Sequence, residues 1–377
     1  MKRILFITHS LTIGGTEQLI TQISEAIQDQ FEVGIVCLDH QGALWERCEA
    51  LGIRLWNLER EAGFDFSLIT KLKAVIKEFR PTIVHAHQYT PFFYTALTKL
   101  LGFRHFFIIF TEHGRHFPDI VSFKRKLINK CLVLAIDKIT ACCQFSKKAL
   151  IENEDLPADR IEVIYNGLHK SKAVDPENRT LLTREEARKF FKLQPDDYVV
   201  GYLGSFREVK NPLFLLESFA QYKKIDTSKN SNSKLLMIGD GSLRSLIEDF
   251  VNRNNMNNDV LLPGAIIAGS RYLKAFDLFV LPSQSEACSL ALLEAMDAQV
   301  PVVVTNRGGS PEIVQEGENG YIVECDDVDS LSRVISSVHM NKEETQEYVT
   351  SAKETVDTQF NFDDMLEKYK QLYNELS

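Results

Sequence analysis

The chain has 377 residues, of which 44% are hydrophobic and 25% charged, and its formal net charge is −9. This length is too great for one ordinary core and predicts two domains of about 150–200 residues each. The acidic balance argues against nucleic acid as a partner, because phosphate backbones select basic surfaces.

The start of the chain does not predict a secretory signal. Its first apolar run, Ile4–Ile7, ends after four residues, and no apolar run in the chain reaches the about 20 residues that cross a bilayer. The seven cysteines include no C-x-x-C pair, which is typical of buried free thiols in a reducing compartment. We therefore expect a cytoplasmic location, and peripheral attachment to the inner face of the membrane stays open.

Short β-branched runs alternate with helix-length segments along the chain, which is the pattern of βαβ units in a parallel sheet. The predicted strands of the first half are Ile4–Thr8, Glu32–Leu38, Ile53–Leu58, Thr82–His87, Phe106–His113, Lys138–Cys142 and Ile161–Tyr165. Those of the second half are Tyr198–Leu203, Leu235–Gly239, Val260–Pro263, Leu278–Leu281, Pro301–Thr305 and Tyr321–Val323. Helical segments between them include Thr16–Gln28, Leu68–Phe79 and Leu213–Tyr222.

A polar stretch between about Leu168 and Asp197 interrupts this alternation. We interpret it as the boundary between two doubly wound, Rossmann-like α/β domains over residues 1–170 and 171–359. The amphipathic segment 360–377 predicts a last helix. This helix could pack on either domain, and we place it with the first. Ligands of open parallel sheets bind beyond the carboxyl ends of the strands, so the cleft between two facing sheets is the expected site.

A glycine pair, Gly14 and Gly15, separates the first predicted strand from its helix. Paired glycines let the backbone approach a ligand closely, and a plain tight turn is the alternative, which spacing alone does not exclude. The segment lacks the G-x-G-x-x-G fingerprint, so a nicotinamide or flavin site is not indicated.

Histidines close two predicted strands. His113 ends Phe106–His113, where a side chain faces the ligand edge of a parallel sheet. His85 and His87 alternate at the end of Thr82–His87, and His87 is either a ligand contact or a hydrogen-bonded core histidine. With His116 these residues raise the question of zinc, but no cysteine or carboxylate accompanies them at ligand spacing, so no metal is expected.

A basic amphipathic segment, Phe123–Leu132, stands out in this acidic chain. Lys124, Arg125 and Lys126 follow its first residue. Such a cluster is usually a solvated face, and contact with an anionic lipid surface is the alternative.

The most informative block runs from Leu278 to Thr305. A buried strand is followed by Glu286 and Ser289, then by an apolar helix that contains Glu294. A carboxylate in such a helix is costly unless something polar faces it, and a ribose diol is a suitable partner. Ser289 is placed as an N-cap, and helix-start amides can bind a diphosphate. The alternative is a satisfied core carboxylate at Glu294 and a helix-dipole contact at Glu286.

This double-glutamate block resembles family 4 retaining glycosyltransferases with the GT-B fold. Its frame is Pro-Ser…Glu…Leu-Leu-Glu-Ala-Met…Val-Pro-Val-Val. The likeness extends over almost the whole chain through Gly204–Asn211, Gly239–Leu243, Gly308–Val314 and Asn319-Gly320. The resemblance implies two Rossmann-like domains, an acceptor domain followed by a nucleotide-sugar donor domain, that face each other across a cleft.

The resemblance also implies roles for individual residues. Glu294 would hold the ribose and Glu286 the donor sugar. Lys210 would neutralise charge on the diphosphate, and His113 would contact the donor sugar beside the reacting carbon. The remaining donor-site candidates are Gly14, Gly15, Ser205, Gly239, Ser289 and Leu290, and His87 is the candidate acceptor contact.

The expected phosphate-binding arginine is where the sequence departs from the family. The family usually has arginine directly after the glycine that matches Gly204, and this chain has Ser205. Arg207, two residues later, is the candidate to reach the same phosphates from a shifted register, and a surface arginine is the alternative.

The resulting hypothesis is metal-independent, retaining transfer of a sugar from UDP or GDP to a lipid-linked or polysaccharide acceptor, with no cofactor. The only acidic D-x-D, Asp327–Asp329, lies far from the double-glutamate block and is a weak candidate for a manganese clamp. A nucleotide-sugar epimerase and a catalytically silent nucleotide-sugar-binding subunit stay open as alternatives. The base, the sugar and the acceptor are not determined.

Overall fold

The computed structural model describes residues 1–102, 105–114, 119, 121–169, 180–225 and 232–376. The chain forms two compact units, here called unit 1 (Met1–Gly167 with Phe362–Ser377) and unit 2 (Leu168–Asn361). The division therefore falls between residues 167 and 168, where the sequence had suggested 170 and 171. His116 and the middle of the polar stretch, 170–179, lie outside the described residues.

Unit 1 contains a seven-stranded parallel sheet in the order β3-β2-β1-β4-β5-β6-β7. Its strands are β1 (Lys2–Ser10), β2 (Phe31–His40), β3 (Arg54–Asn57), β4 (Ile83–His87), β5 (Phe107–Glu112), β6 (Lys138–Ala141) and β7 (Ile161–Val163). Its helices are α1 (Gly15–Ile27), α2 (Trp45–Ala50), α3 (Phe66–Phe79), α4 (Tyr89–Leu100), α5 (Phe123–Leu132) and α6 (Gln144–Glu154). Strand order reverses between β1 and β4, so this is the ligand-binding position of a doubly wound sheet.

Both faces of this sheet are covered, because alternate residues of a strand point to opposite sides. Leu5 and Ile7 of β1 pack in the core under α3 and α4. Ile4 and Phe6 pack in a second core on the other face, under α1. This is why the strands are nearly continuous runs of apolar residues.

The last helix of the chain, α13 (Phe362–Glu375), completes the second core of unit 1. Its apolar stripe includes Met365, Tyr369, Leu372 and Tyr373, all buried. The ammonium of Lys2 donates to the carbonyls of residues 373, 374 and 376, so the first strand caps the end of this helix. Packing against either domain was open for the last helix, and in the structure it packs on the first.

Unit 2 contains a six-stranded parallel sheet in the order β10-β9-β8-β11-β12-β13. Its strands are β8 (Tyr198–Leu203), β9 (Ser233–Ile238), β10 (Val260–Gly264), β11 (Leu278–Leu281), β12 (Val302–Thr305) and β13 (Tyr321–Val323). Its helices are α7 (Arg184–Phe190), α8 (Pro212–Ile225), α9 (Arg244–Arg253), α10 (Leu290–Asp297), α11 (Val328–Met340) and α12 (Lys342–Gln359). Strand order reverses between β8 and β11.

The predicted α/β class with two doubly wound parallel sheets is confirmed. Helix starts agree with local chemistry: Asp65 caps α3 through the amides of Ser67 and Leu68, and Thr183 forms a capping box with Glu186 at α7. In the described part of the chain, no helix is long and apolar enough to cross a membrane.

Candidate functional site

The main candidate site lies where two neighbouring strands of unit 2 end. Strands β8 and β11 are paired at the point of strand-order reversal. The loop after β8 supplies Lys210, and the loop after β11 supplies Glu286. This is the position at which open α/β sheets bind their ligands.

Lys210 and Glu286 form an ion pair at this edge. The Lys210 ammonium donates to Oε2 of Glu286, and the two side chains are 22% and 15% exposed. The hydroxyl of Ser283 lies 3.3 Å from the same oxygen. The pair therefore brings a cation and a carboxylate to one place, with part of each side chain open to a ligand.

The backbone of Glu286 is fixed by the segment after β12. The amide of Gly309 donates to the Glu286 carbonyl over 2.8 Å. Gly308 has φ +62°, and a Cβ there would lie 2.0 Å from that carbonyl oxygen. Only glycine satisfies both constraints, which explains Gly308 in physical terms.

Tyr202 supports the loop after β8. Its side chain is 1% exposed, and its hydroxyl donates to the Ser205 carbonyl over 2.8 Å. Burial, and then the charge of Glu286, raise the pKa of Tyr202, so the phenol stays neutral. A polar tip at the end of an otherwise apolar strand was the only signal for it in the sequence.

Gly239 belongs to the same pair of loops. A Cβ at Gly239 would lie 1.8 Å from the carbonyl oxygen of Gly204. The close approach of the loops after β8 and β9 is therefore enough to require glycine here. A contact from Gly239 to a ligand stays a prediction.

Ser205 and Arg207 lie together. The Arg207 side chain is exposed, and its Nε donates to the Ser205 hydroxyl over 3.0 Å. The guanidinium thus bends back toward the position at which the family usually has its arginine. Its use as a phosphate ligand stays a prediction.

Helix α10 begins as expected, with Ser289 as N-cap accepting from the amide of Leu292. Leu290 is the first helical residue, and four apolar side chains of the helix are buried. Glu294 is half-buried and takes part in an interaction within the chain. Glu294 as a residue is therefore not fully buried, and the expected cost of burying it is smaller than the sequence suggests.

The D-x-D residues have structural roles. Asp327 caps α11 through the amide of Ser330, and Asp329 accepts a hydrogen bond from Gln221. Among the residues that the structure describes, no group of three or more histidines, cysteines or carboxylates is arranged to hold a metal ion.

In unit 1, Gly14 and Gly15 lie at the start of α1. The carboxylate of Glu17 folds back over Gly14, where a Cβ would lie 2.3 Å from Oε2. Burial raises the pKa of Glu17. A side chain already occupies the space next to the glycine pair.

The histidines at the ends of β4 and β5 meet. Nδ1 of His87 lies 2.7 Å from Nε2 of His113, and His85 bonds the hydroxyls of Tyr373 and Thr111. Burial lowers the pKa of His113 to about 4 and holds those of His85 and His87 well below 6.5, so all three are neutral at neutral pH.

The assignment of His87 as a direct acceptor contact is wrong in this structure. Its side chain is 0% exposed and its Nδ1 is already bonded to His113, so an acceptor has no access to it. The alternative reading, a core histidine, describes His87 better. His113 is half-buried and lies at the strand end, as predicted.

The basic helix α5 also needs a correction. Arg125 lies 2.7 Å from the fully buried carboxylate of Glu154 and stacks over the ring of Tyr89 at 3.4 Å. It neutralises a buried charge and is not a free surface cation. Lys124 is exposed, and Lys126 donates to the Glu152 carbonyl at the surface.

A cavity of 310 Å³ lies at the opposite edge of the unit 2 sheet, near the amino ends of β8, β11 and β12. Its lining includes Tyr198, Asp277, Pro301 and His339. Because parallel sheets bind ligands at their carboxyl edge, we place the candidate site at Lys210 and Glu286.

Two family models match the chain. Residues 13–172 match the model described as Glycosyltransferase Family 4, and residues 183–355 match the model described as Glycosyl transferases group 1. Together they span most of both units.

Similar proteins have related names. N-acetyl-alpha-D-glucosaminyl L-malate synthase of Bacillus anthracis is 26% identical, over 83% of this chain and 80% of that protein. UDP-Gal:alpha-D-GlcNAc-diphosphoundecaprenol alpha-1,3-galactosyltransferase of Escherichia coli is 27% identical, over 88% and 86%. The crystal structure of HepE from Anabaena in complex with UDP and glucose superposes with a TM-score of 0.81 at 19% identity, over 99% of this chain and 100% of that one. At this identity the superposition shows the fold alone.

Proposed function

Because the chain belongs to glycosyltransferase family 4 and has the GT-B fold, we propose that it transfers a sugar from a nucleoside diphosphate to a lipid-linked or polysaccharide acceptor. Anomeric configuration is retained and no metal ion takes part. The observation that carries this proposal is the meeting of Lys210 and Glu286 at the strand-order reversal of unit 2. A leaving diphosphate needs a cation, and a sugar needs hydrogen-bond acceptors.

Each donor-site residue has a part in this proposal. Glu294 accepts from the ribose hydroxyls, and Glu286 accepts from hydroxyls of the donor sugar. The amides near Ser289 and Leu290 bind phosphate oxygens at the start of α10. Lys210, with Arg207, neutralises the charge that builds on the leaving group.

In the reaction, the bond between the anomeric carbon and the diphosphate oxygen breaks, and its electron pair stays on that oxygen. The acceptor hydroxyl bonds to the same face of the carbon and passes its proton to the departing phosphate. His113 supplies a hydrogen bond beside the developing positive charge. Retention by this front-face route needs no carboxylate nucleophile.

Of the two donor classes, a UDP-linked sugar is proposed in preference to a GDP-linked sugar. The name of one similar galactosyltransferase includes a UDP-sugar, and one similar crystal structure contains UDP. The acceptors in the names of similar proteins differ, L-malate in one and a diphosphoundecaprenol-linked sugar in another. An acceptor screen therefore includes a small dicarboxylate beside lipid-linked sugars, and transfer to the dicarboxylate alone would overturn the acceptor class proposed here.

Glu294→Ala is expected to weaken UDP binding about ten- to a hundredfold, because hydrogen bonds to a charged group contribute about 1.5–3 kcal/mol each. Isothermal titration with UDP measures the affinity. Repeating it with EDTA and with Mn²⁺ tests whether UDP binding depends on a metal ion. Glu217→Ala, which removes an exposed carboxylate from α8 of the same unit, is the matched control. Equal UDP affinity in wild type and Glu294→Ala would refute the assignment of the ribose site.

We also propose that α5 contacts an anionic membrane surface. The helix carries Lys124, Arg125, Lys126 and Lys130 and no acidic residue, whereas the chain as a whole is acidic. Phe123 and Leu127 are 81% and 58% exposed on the same helix. Exposed apolar side chains flanked by lysines are the composition of an interfacial helix, and each lysine contributes about 1 kcal/mol near anionic lipid.

The double variant Phe123→Ser, Lys124→Glu is expected to lose about tenfold or more of its binding to anionic vesicles in co-sedimentation, since it removes one apolar and one charged contact. Arg125 is left unchanged because it neutralises Glu154. The control Ile225→Ser, Lys224→Glu changes a similar exposed pair at the end of α8. Unaltered binding of the α5 variant, or an equal loss in the control, would contradict this surface.

A further inference from the structure

A side-chain hydrogen bond joins two loops at the carboxyl edge of the unit 2 sheet. Asn211 directly follows Lys210 in the loop after β8, and Asp326 lies in the loop after β13. The side-chain nitrogen of Asn211 donates to Oδ1 of Asp326 over 2.7 Å and lies 3.7 Å from Sγ of Cys325. Strands β11 and β12 separate β8 from β13, so this bond spans the ends of both strands.

Both residues of this bond have a left-handed backbone conformation. Asn211 has φ +49° and Asp326 has φ +66°. Glycine adopts such angles without steric cost, whereas a residue with a side chain is strained there, even asparagine or aspartate. Because an exposed polar pair adds little to stability, stability alone does not account for two strained residues. Backbone strain that is kept in this way is typical of functional sites.

The one-turn helix that ends at Lys210 is held on two sides. On one side, the carbonyl of Val209 accepts from the amide of Gln284, in the loop after β11, over 2.9 Å. On the other side, Asn211 is bonded to Asp326. The second contact therefore fixes the end of the turn from which the Lys210 side chain extends.

We infer that Asp326 is a positioning residue, which acts through Asn211 to hold the Lys210 ammonium where the diphosphate leaves. Asp326 needs no contact with the substrate for this role. The inference rests on the proposed function in one respect, the action of Lys210 on the leaving group. The ordering of the turn by the bond between Asn211 and Asp326 does not depend on the reaction.

A glycine substitution removes this bond without adding backbone strain. Asp326→Gly deletes the carboxylate and leaves a residue that adopts φ +66° freely, so the variant should fold as wild type does. Asp326→Asn keeps a side-chain oxygen that can accept from Asn211. Asn255, two residues after α9, also has a positive φ, +55°, and Asn255→Gly is the matched control.

Amide hydrogen exchange of the full-length protein, followed by mass spectrometry, tests the ordering of the turn. Asp326 lies 115 positions from Asn211, so a peptide covering 204–211 has the same sequence in wild type and in Asp326→Gly. We expect this peptide to exchange about fivefold faster or more in Asp326→Gly, because the turn opens more often. Its exchange in Asp326→Asn and Asn255→Gly should stay close to wild type. Equal exchange in wild type and Asp326→Gly would overturn the inference.

Kinetics supply the second arm. Asp326→Gly is expected to lower kcat for sugar transfer about tenfold with little change in KM, because a small misplacement of a group that acts in the transition state lowers the rate. Asp326→Asn should stay within about threefold of wild type, and Asn255→Gly should leave kcat unchanged.

A double variant tests whether Asp326 acts through Lys210. In a Lys210→Ala background, Asp326→Gly should cause no further loss of kcat, because the group that it positions is already absent. An equal loss in both backgrounds would show that Asp326 acts by another route and would contradict the inference.

The two arms separate this inference from the proposed function. If the wild-type protein turns over no nucleotide sugar, the proposed function fails, and exchange still decides whether Asp326 orders the turn. If transfer occurs but Asp326→Gly keeps the kcat of wild type, the inference fails alone.

Discussion

Lys210→Ala is expected to lower kcat for sugar transfer about a hundredfold or more, with a much smaller change in the KM for the nucleotide sugar. Negative charge on the diphosphate is greatest as the glycosidic bond breaks, so a cation at this position stabilises the transition state more than the bound donor. Steady-state kinetics with the cognate donor separate the two parameters.

A second half-buried ion pair of unit 2 provides the control for this change. Lys223 lies 3.2 Å from Asp259, with side-chain exposures of 19% and 25%, similar to those of Lys210 and Glu286. Lys223→Ala should cost similar stability in thermal unfolding and leave kcat unchanged. If Lys210→Ala kept kcat within a factor of two, or if Lys223→Ala lost as much, the leaving-group role of Lys210 would be wrong.

Leu372→Asp is expected to destabilise unit 1 by about 3–5 kcal/mol or more, through a lost core side chain and a buried carboxylate. Leu372 is 4% exposed in the stripe of α13 that packs on the sheet. Because a whole domain is stable by only about 5–15 kcal/mol, the variant should fold poorly, and a chain that ends at residue 361 should be insoluble. Chemical unfolding followed by circular dichroism measures the first effect, and soluble yield the second.

The adjacent residue offers the comparison for this helix. Gln371 is exposed, so Gln371→Asp introduces the same side chain one position away, on the face that does not pack. Its free energy of unfolding should stay close to that of wild type. Equal destabilisation by both substitutions would mean that α13 is disturbed as a helix and that its apolar face is not what unit 1 requires.

The fold was largely readable from the sequence because both sheets are parallel. Their strands are buried on both faces and therefore are short, continuous apolar runs, such as Leu278–Leu281 and Tyr198–Leu203, whose bounds the structure repeats. Strand ends such as Phe106–His113 were less certain, since the structure ends β5 at Glu112. Hydrophobic runs identify the buried part of a strand well, but they locate its first and last hydrogen-bonded residues poorly.

The site was readable only in part. Lys210 and Glu286 were identified separately, but only the strand order of unit 2 brings them into one ion pair. Tyr202 was missed because the direction of a phenol hydroxyl depends on the loop above it. The expectations for His87 and Arg125 fail for the same reason: each side chain is held by a partner that is distant in sequence. His113 lies 26 positions from His87, and Glu154 lies 29 positions from Arg125.

The position of α13 has a consequence for synthesis of the protein on the ribosome. The helix emerges only after all of unit 2, so the second core of unit 1 stays open for roughly 10–40 s at ordinary rates of about 5–20 residues per second. The nascent strands β1, β2 and β4 thus expose apolar side chains such as Ile4 and Phe6 to chaperones or to neighbouring chains during this interval. The unit that is translated first is therefore the one that is completed last.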